Sequence, residues 1–214
     1  MSSSSWSQQE SLSGIFEPGP SNPYSGANFV YIFYCSSDAW IGDVGASAAT
    51  GGFAFRGQKI IAATIADLVA TKGLTSAADV VFGGCSAGAR GATVMLDYVG
   101  AMLPQGARLR GLLDSGLWVD VEAPDTDAVT LQEQTQQAYA MIQPQAVIPS
   151  ECAAQYSGAE AWKCIYASYR LPFVKTKYII NAAQFDSFAM LYGLHPPCPD
   201  RQWKLSRRAC EGGA

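Results

Sequence analysis

The stretch Gly84-Cys85-Ser86-Ala87-Gly88 sets a serine between two glycines within Val80–Gly91, VVFGGCSAGARG, where a short apolar run gives way to small residues and then to helical spacing. The pattern reads as strand, sharp turn and helix, with Ser86 at the apex. Small flanking residues are what such a G-x-S-x-G turn demands, because the serine backbone is strained and strand and helix pass too close for bulk. The turn lifts Oγ out of the sheet, and the Ala87 N–H at the helix start can face a developing oxyanion. Nucleophilic attack on a carbonyl is the chemistry this suits. The same residues also fit a glycine-rich loop or a phosphate-binding turn with an incidental serine, although no G-K-[ST] comes after it and no G-x-G-x-x-G crosses it.

A serine is a weak nucleophile until an imidazole takes its proton, and a carboxylate orients that imidazole. His195 is the single histidine of the sequence. It heads a Pro-Pro-Cys stretch, and it is either that base, with the tail folded back over the crevice, or a loop histidine without a catalytic task. Two carboxylates compete for the acid: Asp186, beyond the last expected strand, and Asp114, at the end of an earlier one. In a fold with this elbow the acid comes after the nucleophile, just past a later strand, a place both residues take, with Asp186 past the last one. Trp40 and Trp118 each lie just past an expected strand end, where ligands collect, and with Trp162 they could line an acyl or sugar pocket. Arg90, just past the nucleophile, could face a carboxylate if the substrate were an acidic polymer. Core packing for the tryptophans and a solvated helix position for Arg90 are the alternatives. Asp38 and Asp43 could be polar groups of the pocket, but two acids this far apart in a flexible stretch make no metal site.

The elements that must hold these residues are set by periodicity. Phe29–Tyr34, FVYIFY, is a β-branched and aromatic run bounded by turn residues, which predicts a strand covered on both faces. Arg56–Lys72 carries Ile60, Ile61, Ile65, Leu68 and Val69 at helical spacing and is closed by Gly73. Val80–Gly83 is the elbow strand, Ala89–Leu103 its helix, stopped by Pro104, and Leu109–Leu113 a further strand. Leu131–Ile142 is a glutamine-rich helix of mixed faces, expected to be a lid or cap element, and Lys177–Ala182 is the last strand. Strands alternating with helices imply βαβ units and a mainly parallel sheet. We therefore expect a poorly ordered segment over 1–28, one catalytic domain over 29–195 with a cap-like insertion at 130–170, and an irregular tail over 196–214.

At 214 residues and 49% hydrophobic content, the chain can bury one sizeable core. A charged fraction of 15% and a net charge of −4 give no basic footprint for nucleic acid or an anionic membrane. No apolar stretch is long enough to cross a bilayer, and no charged segment leading into an apolar one marks a signal peptide. The six cysteines point to an oxidising compartment, since Cys152, Cys164, Cys198 and Cys210 lie in loop-like stretches that suit disulfides. None has C-x-x-C spacing, so a zinc site is not expected. Cys35 and Cys85 fit buried thiols equally well. Disulfides without a signal peptide suggest that an N-terminal segment is missing.

These residues resemble the family of pectin acetylesterases and Notum, serine carboxylesterases of the α/β-hydrolase type. The matching stretches, in order, are Ser13–Phe16, Asn22-Pro23, Val30–Asp38, Arg56-Gly57-Gln58, Gly73-Leu74, Gly83–Gly88, Leu113–Asp120, Ile148–Cys152, Trp162–Cys164 and Gln184–Asp186. The resemblance implies an α/β-hydrolase-like, mainly parallel sheet with flanking helices, a Ser-Asp-His triad, no metal or other cofactor, secretion, and an acylated polysaccharide or acylated protein as substrate partner of a monomer. Ser86 matches the family's nucleophile, Asp186 its acid and Ala87 its oxyanion residue, and Cys152 with Cys164 matches a family disulfide. The chain departs from the family at three points. Ala89 stands where the family has glycine. The family's first strand and its glycine-rich oxyanion turn have no counterpart, and the family's histidine lies further past the acid than His195. The alternative is therefore a truncated or inactive member that binds glycan or acyl chains without turnover; acyl transfer to an acceptor other than water would use the same residues.

Overall fold

The computed structural model describes residues 7, 9, 11–121, 129–190 and 192. The chain forms two compact units, Met1–Cys35 and Ser36–Ala214. In the first, the Asn22 amide donates to the Ile15 and Glu17 carbonyls at 2.9 and 2.7 Å, closing a turn on the short 3-10 helix Gly14–Phe16. The expected strand over Phe29–Tyr34 does not form. Val30 and Tyr31 are 47% and 52% exposed, and rings of the run pack edge to face, Phe29 on Phe16 of the 3-10 helix at 5.2 Å and Tyr31 on Phe33 at 5.1 Å. An apolar run specifies covered faces but not the neighbour that supplies the ladder, and no described strand forms a ladder with this run.

The second unit is built as a parallel sheet with helices against it. Helix α1, Gly57–Thr71, buries Ile61 and Ile65, and it ends at Lys72 with Gly73 left-handed at φ 74°. Strand β1, Asp79–Cys85, leads into helix α2, Ala87–Met102, and strand β2, Arg108–Asp114, comes next. Helix α3 is Leu131–Ile142, with Leu131, Thr135 and Ile142 buried, and its start carries a capping box between Thr130 and Glu133. Two short helices, α4 over Ser150–Gln155 and α5 over Ala167–Arg170, flank a 3-10 helix at Gly158–Ile165. Strand β3, Tyr178–Asn181, and the single turn α6, Ser187–Ala189, follow.

The strands run parallel in the order β1-β2-β3, with Cys85 opposite Asp114 and Asp114 opposite Asn181. The three strand ends are thus level, and the loops that leave them emerge at the same edge of the sheet. One core cluster joins Ala89, Ala92 and Leu96 of α2 to Leu113 of β2, with Phe82, Leu171, Val174 and Ile180 packed on it. A second joins Trp118, Leu131, Trp162 and Tyr166. The disulfide between Cys152 and Cys164 is formed, whereas Cys35 and Cys85 are free thiols, Cys85 being exposed. Cys198 and Cys210 lie outside the described residues. Arg170, 1% exposed, donates to the Val94 carbonyl at 3.1 Å and lies 4.0 Å from Asp97, fixing α5 against α2.

Candidate active site

Ser86 occupies the joint between β1 and α2 with φ 54° and ψ −117°, a conformation that non-glycine residues adopt only where the surroundings compel it. Its N–H donates to the Asp114 carbonyl at 2.8 Å, and its own carbonyl accepts from the Arg90 N–H at 3.0 Å, so the bend is held from both sides. The chain can turn so sharply because Gly84 lacks a side chain: a Cβ there would lie 2.6 Å from the Gly88 carbonyl carbon. Ser86 is exposed, and its side chain makes no capping bond to α2, which leaves Oγ uncommitted to the helix. Ala87 is the first residue of a 16-residue helix, so its N–H belongs to the unsatisfied, partially positive end of α2.

The departure at Ala89 has a local counterpart. Ala89 is fully buried, and Gly116 faces it at a distance where a Cβ would fall 2.5 Å from the Ala89 Cβ. The turn after β2 therefore gives up the volume that the first turn of α2 takes.

The two candidate acids differ in what engages them. The Asp114 carboxylate accepts from Asn181 Nδ2 at 2.8 Å and from Ser115 Oγ at 3.1 Å, so it ties together the ends of β2 and β3. Burial and this carboxylate push the Cys85 thiol above its ordinary pKa. Asp186 lies five residues beyond β3, half-buried, and its Oδ1 accepts from the Ala189 N–H at 2.7 Å as the cap of α6. Asp186 and Ser86 thus lie past the carboxyl ends of strands separated by β2, the edge where open α/β sheets place ligands. His195 lies outside the described residues.

Trp40 is left-handed at φ 57°, and its ring lies over the start of α2, where Cβ atoms on Gly88 and Gly91 would come within 3.7 and 3.4 Å of it. That loop is fixed by the buried Asp38 carboxylate, which accepts from the N–H groups of Trp40, Gly42 and Gly57 at 3.0, 3.1 and 2.8 Å and from the Ser36 hydroxyl. Asp43 instead pairs with Arg56 and Lys59 at 3.0 and 3.2 Å. Trp118 is 6% exposed, with the Arg90 guanidinium 4.3 Å from its ring centroid. Trp162 is buried against Tyr166. Sequence reading did not single out Asn181, although an amide ending a strand level with a carboxylate was the available signal. Among the described residues no three His, Cys, Asp or Glu side chains gather as a metal site, and no helix is long and apolar enough to cross a membrane.

A family model described as pectinacetylesterase matches residues 1–212. The chain is 32% identical to the palmitoleoyl-protein carboxylesterase NOTUM of Drosophila melanogaster over 214 residues, covering 95% of this chain and 31% of that protein. Pectin acetylesterase 7 of Arabidopsis thaliana is 29% identical over 180 residues, covering 83% of this chain and 44% of that protein. A solved structure of the Wnt deacylase Notum from Drosophila superposes with a TM-score of 0.82 at 29% identity, covering 94% of this chain and 60% of that one. The chain thus spans between about a third and under half the length of the curated relatives it matches. A match over nearly its whole length, carried by an α/β-hydrolase-like parallel sheet, places this chain in the pectinacetylesterase family.

Proposed function

We propose that this chain supplies the nucleophile and the acid of a serine carboxylesterase that hydrolyses O-acyl esters. Ser86 Oγ attacks the ester carbonyl and the alcohol leaves with a proton; water then releases the acid from the acyl-enzyme. An imidazole takes and returns the proton, oriented by Asp186, and His195 is the only imidazole in this sequence. The Ala87 N–H, at the positive end of α2, stabilises the oxyanion. The observation that carries the reading is the strained φ of 54° at an exposed Ser86 between a parallel strand and a 16-residue helix. The activities for which the relatives are named, on palmitoleoylated protein and on pectin acetyl esters, support an acylated protein or polysaccharide as substrate. The Cys152–Cys164 disulfide supports an extracellular setting.

The test is steady-state hydrolysis of p-nitrophenyl acetate and octanoate by the wild type, Ser86→Ala and His195→Ala. Loss of turnover in Ser86→Ala supports the serine mechanism, and turnover that survives it rejects it. Loss in His195→Ala assigns the base, whereas unaltered turnover removes His195 from the mechanism.

A further inference from the structure

Residues close behind Ser86 and Asp186 meet on one indole. Arg90, in the first turn of α2, donates its N–H to the Ser86 carbonyl at 3.0 Å and sets its guanidinium carbon 4.3 Å from the Trp118 ring centroid. Phe188, two residues past Asp186, stacks on Trp118 with centroids 5.2 Å apart and planes 23° apart. Trp118 itself is anchored, since it is buried in a cluster with Leu131, Trp162 and Tyr166, against which Ala189 also packs.

The turn that carries Asp186 needs such an anchor. Ala182–Phe185, which joins it to β3, is exposed, with Phe185 at 73%. Helix α6 has three residues, too few to hold a helical shape unaided. Its fixed points are the Asp186 cap on the Ala189 N–H and the seat of Phe188 and Ala189 on the Trp118 cluster.

We propose that Trp118 is a positioning residue: through Arg90 and Phe188 it holds the turn bearing Asp186 in fixed relation to the helix that begins just after Ser86. The proposal rests on Ser86 and Asp186 being nucleophile and acid. Displacements near 1 Å cost on the order of a hundredfold in rate, so loosening this contact acts on turnover. A substrate-lining indole would instead act on KM.

Two readouts test it on the full chain with Trp118→Ala, Trp118→Phe and Phe188→Ala. In hydrogen exchange, Trp118→Ala and Phe188→Ala should speed exchange over Asp186–Met190 about tenfold or more while α2 keeps its protection. Trp118→Phe, which keeps an aromatic face, should stay near the wild type. In ester hydrolysis the two alanine variants should lower kcat about 10- to 100-fold with KM within about twofold, and Trp118→Phe should recover most of kcat. Unchanged exchange over Asp186–Met190, or a raised KM at constant kcat, overturns the proposal. Turnover that persists in Ser86→Ala defeats the esterase reading, whereas exchange that fails to respond beside a Ser86-dependent activity defeats the positioning role alone. Phe188 is 44% exposed, so Phe188→Ala keeps the test open if Trp118→Ala does not fold.

Discussion

The Ser86 N–H donates to the Asp114 carbonyl oxygen at 2.8 Å, which ties the apex of the elbow to the last residue of the neighbouring strand. The bond extends the β1–β2 ladder one step beyond Cys85 and Asp114 and holds the serine at a positive φ. Because it uses a backbone carbonyl, it survives a change of the Asp114 side chain.

The two carboxylates are therefore separable by mutation. Asp114→Asn keeps the carbonyl that anchors Ser86, and kcat for ester hydrolysis should fall less than about tenfold. Asp186→Asn should lower kcat by about a thousandfold or more, as loss of a triad acid does. Steady-state kinetics on a chromogenic ester decide between them, and the reverse ranking would make Asp114 the acid.

The contact between Gly116 and Ala89 predicts a compensating pair. A Cβ at Gly116 would stand 2.5 Å from the Ala89 Cβ, so Gly116→Ala should cost about 1–3 kcal/mol in urea unfolding. Adding Ala89→Gly should recover part of that loss, and strictly additive effects would show that the two positions are not in conflict.

The second unit was largely legible in the sequence. The helix over Leu131–Ile142 has the expected ends, Gly73 takes the left-handed position expected after α1, and β1, β2 and β3 fall within two residues of their expected bounds. These are elements whose apolar spacing and end signals lie within their own sequence. Phe29–Tyr34 failed as a strand because pairing depends on a partner that no local pattern names. Around Ser86 the strand, turn and helix were legible because such a turn needs small residues at fixed offsets. The contacts of Trp118 with Arg90 and Phe188 were not, since they span 28 and 70 residues and leave no periodic trace.

Asp97 links stability to pH. Burial opposes its charge, but the N–H groups of Lys175 and Thr176, the Thr176 hydroxyl and the nearby Arg170 outweigh it, and its pKa lies below the usual 3.8. A depressed folded-state pKa means that the stabilisation is complete above the unfolded value and is lost as pH falls through the folded one. Asp97→Asn should thus cost on the order of 2 kcal/mol at pH 7, with the difference from wild type closing as pH falls through the lowered Asp97 pKa. A gap in chemical-unfolding free energy that stays constant down to pH 2 would contradict this.

The Cys152–Cys164 bridge closes a short loop between α4 and the 3-10 helix that carries Trp162. Replacing both cysteines by serine should cost about 3 kcal/mol, seen as a lower Tm in thermal unfolding. A double variant that melts with the wild type would mean that the aromatic cluster alone holds this segment.

Covalent trapping addresses the central claim most directly. The wild type is treated with a fluorophosphonate at neutral pH, digested and sequenced by mass spectrometry, beside Ser86→Ala. We predict a single phosphonyl adduct on Ser86, absent from the variant. An unlabelled wild type, or equal labelling of both proteins at another residue, would contradict Ser86 as an activated nucleophile.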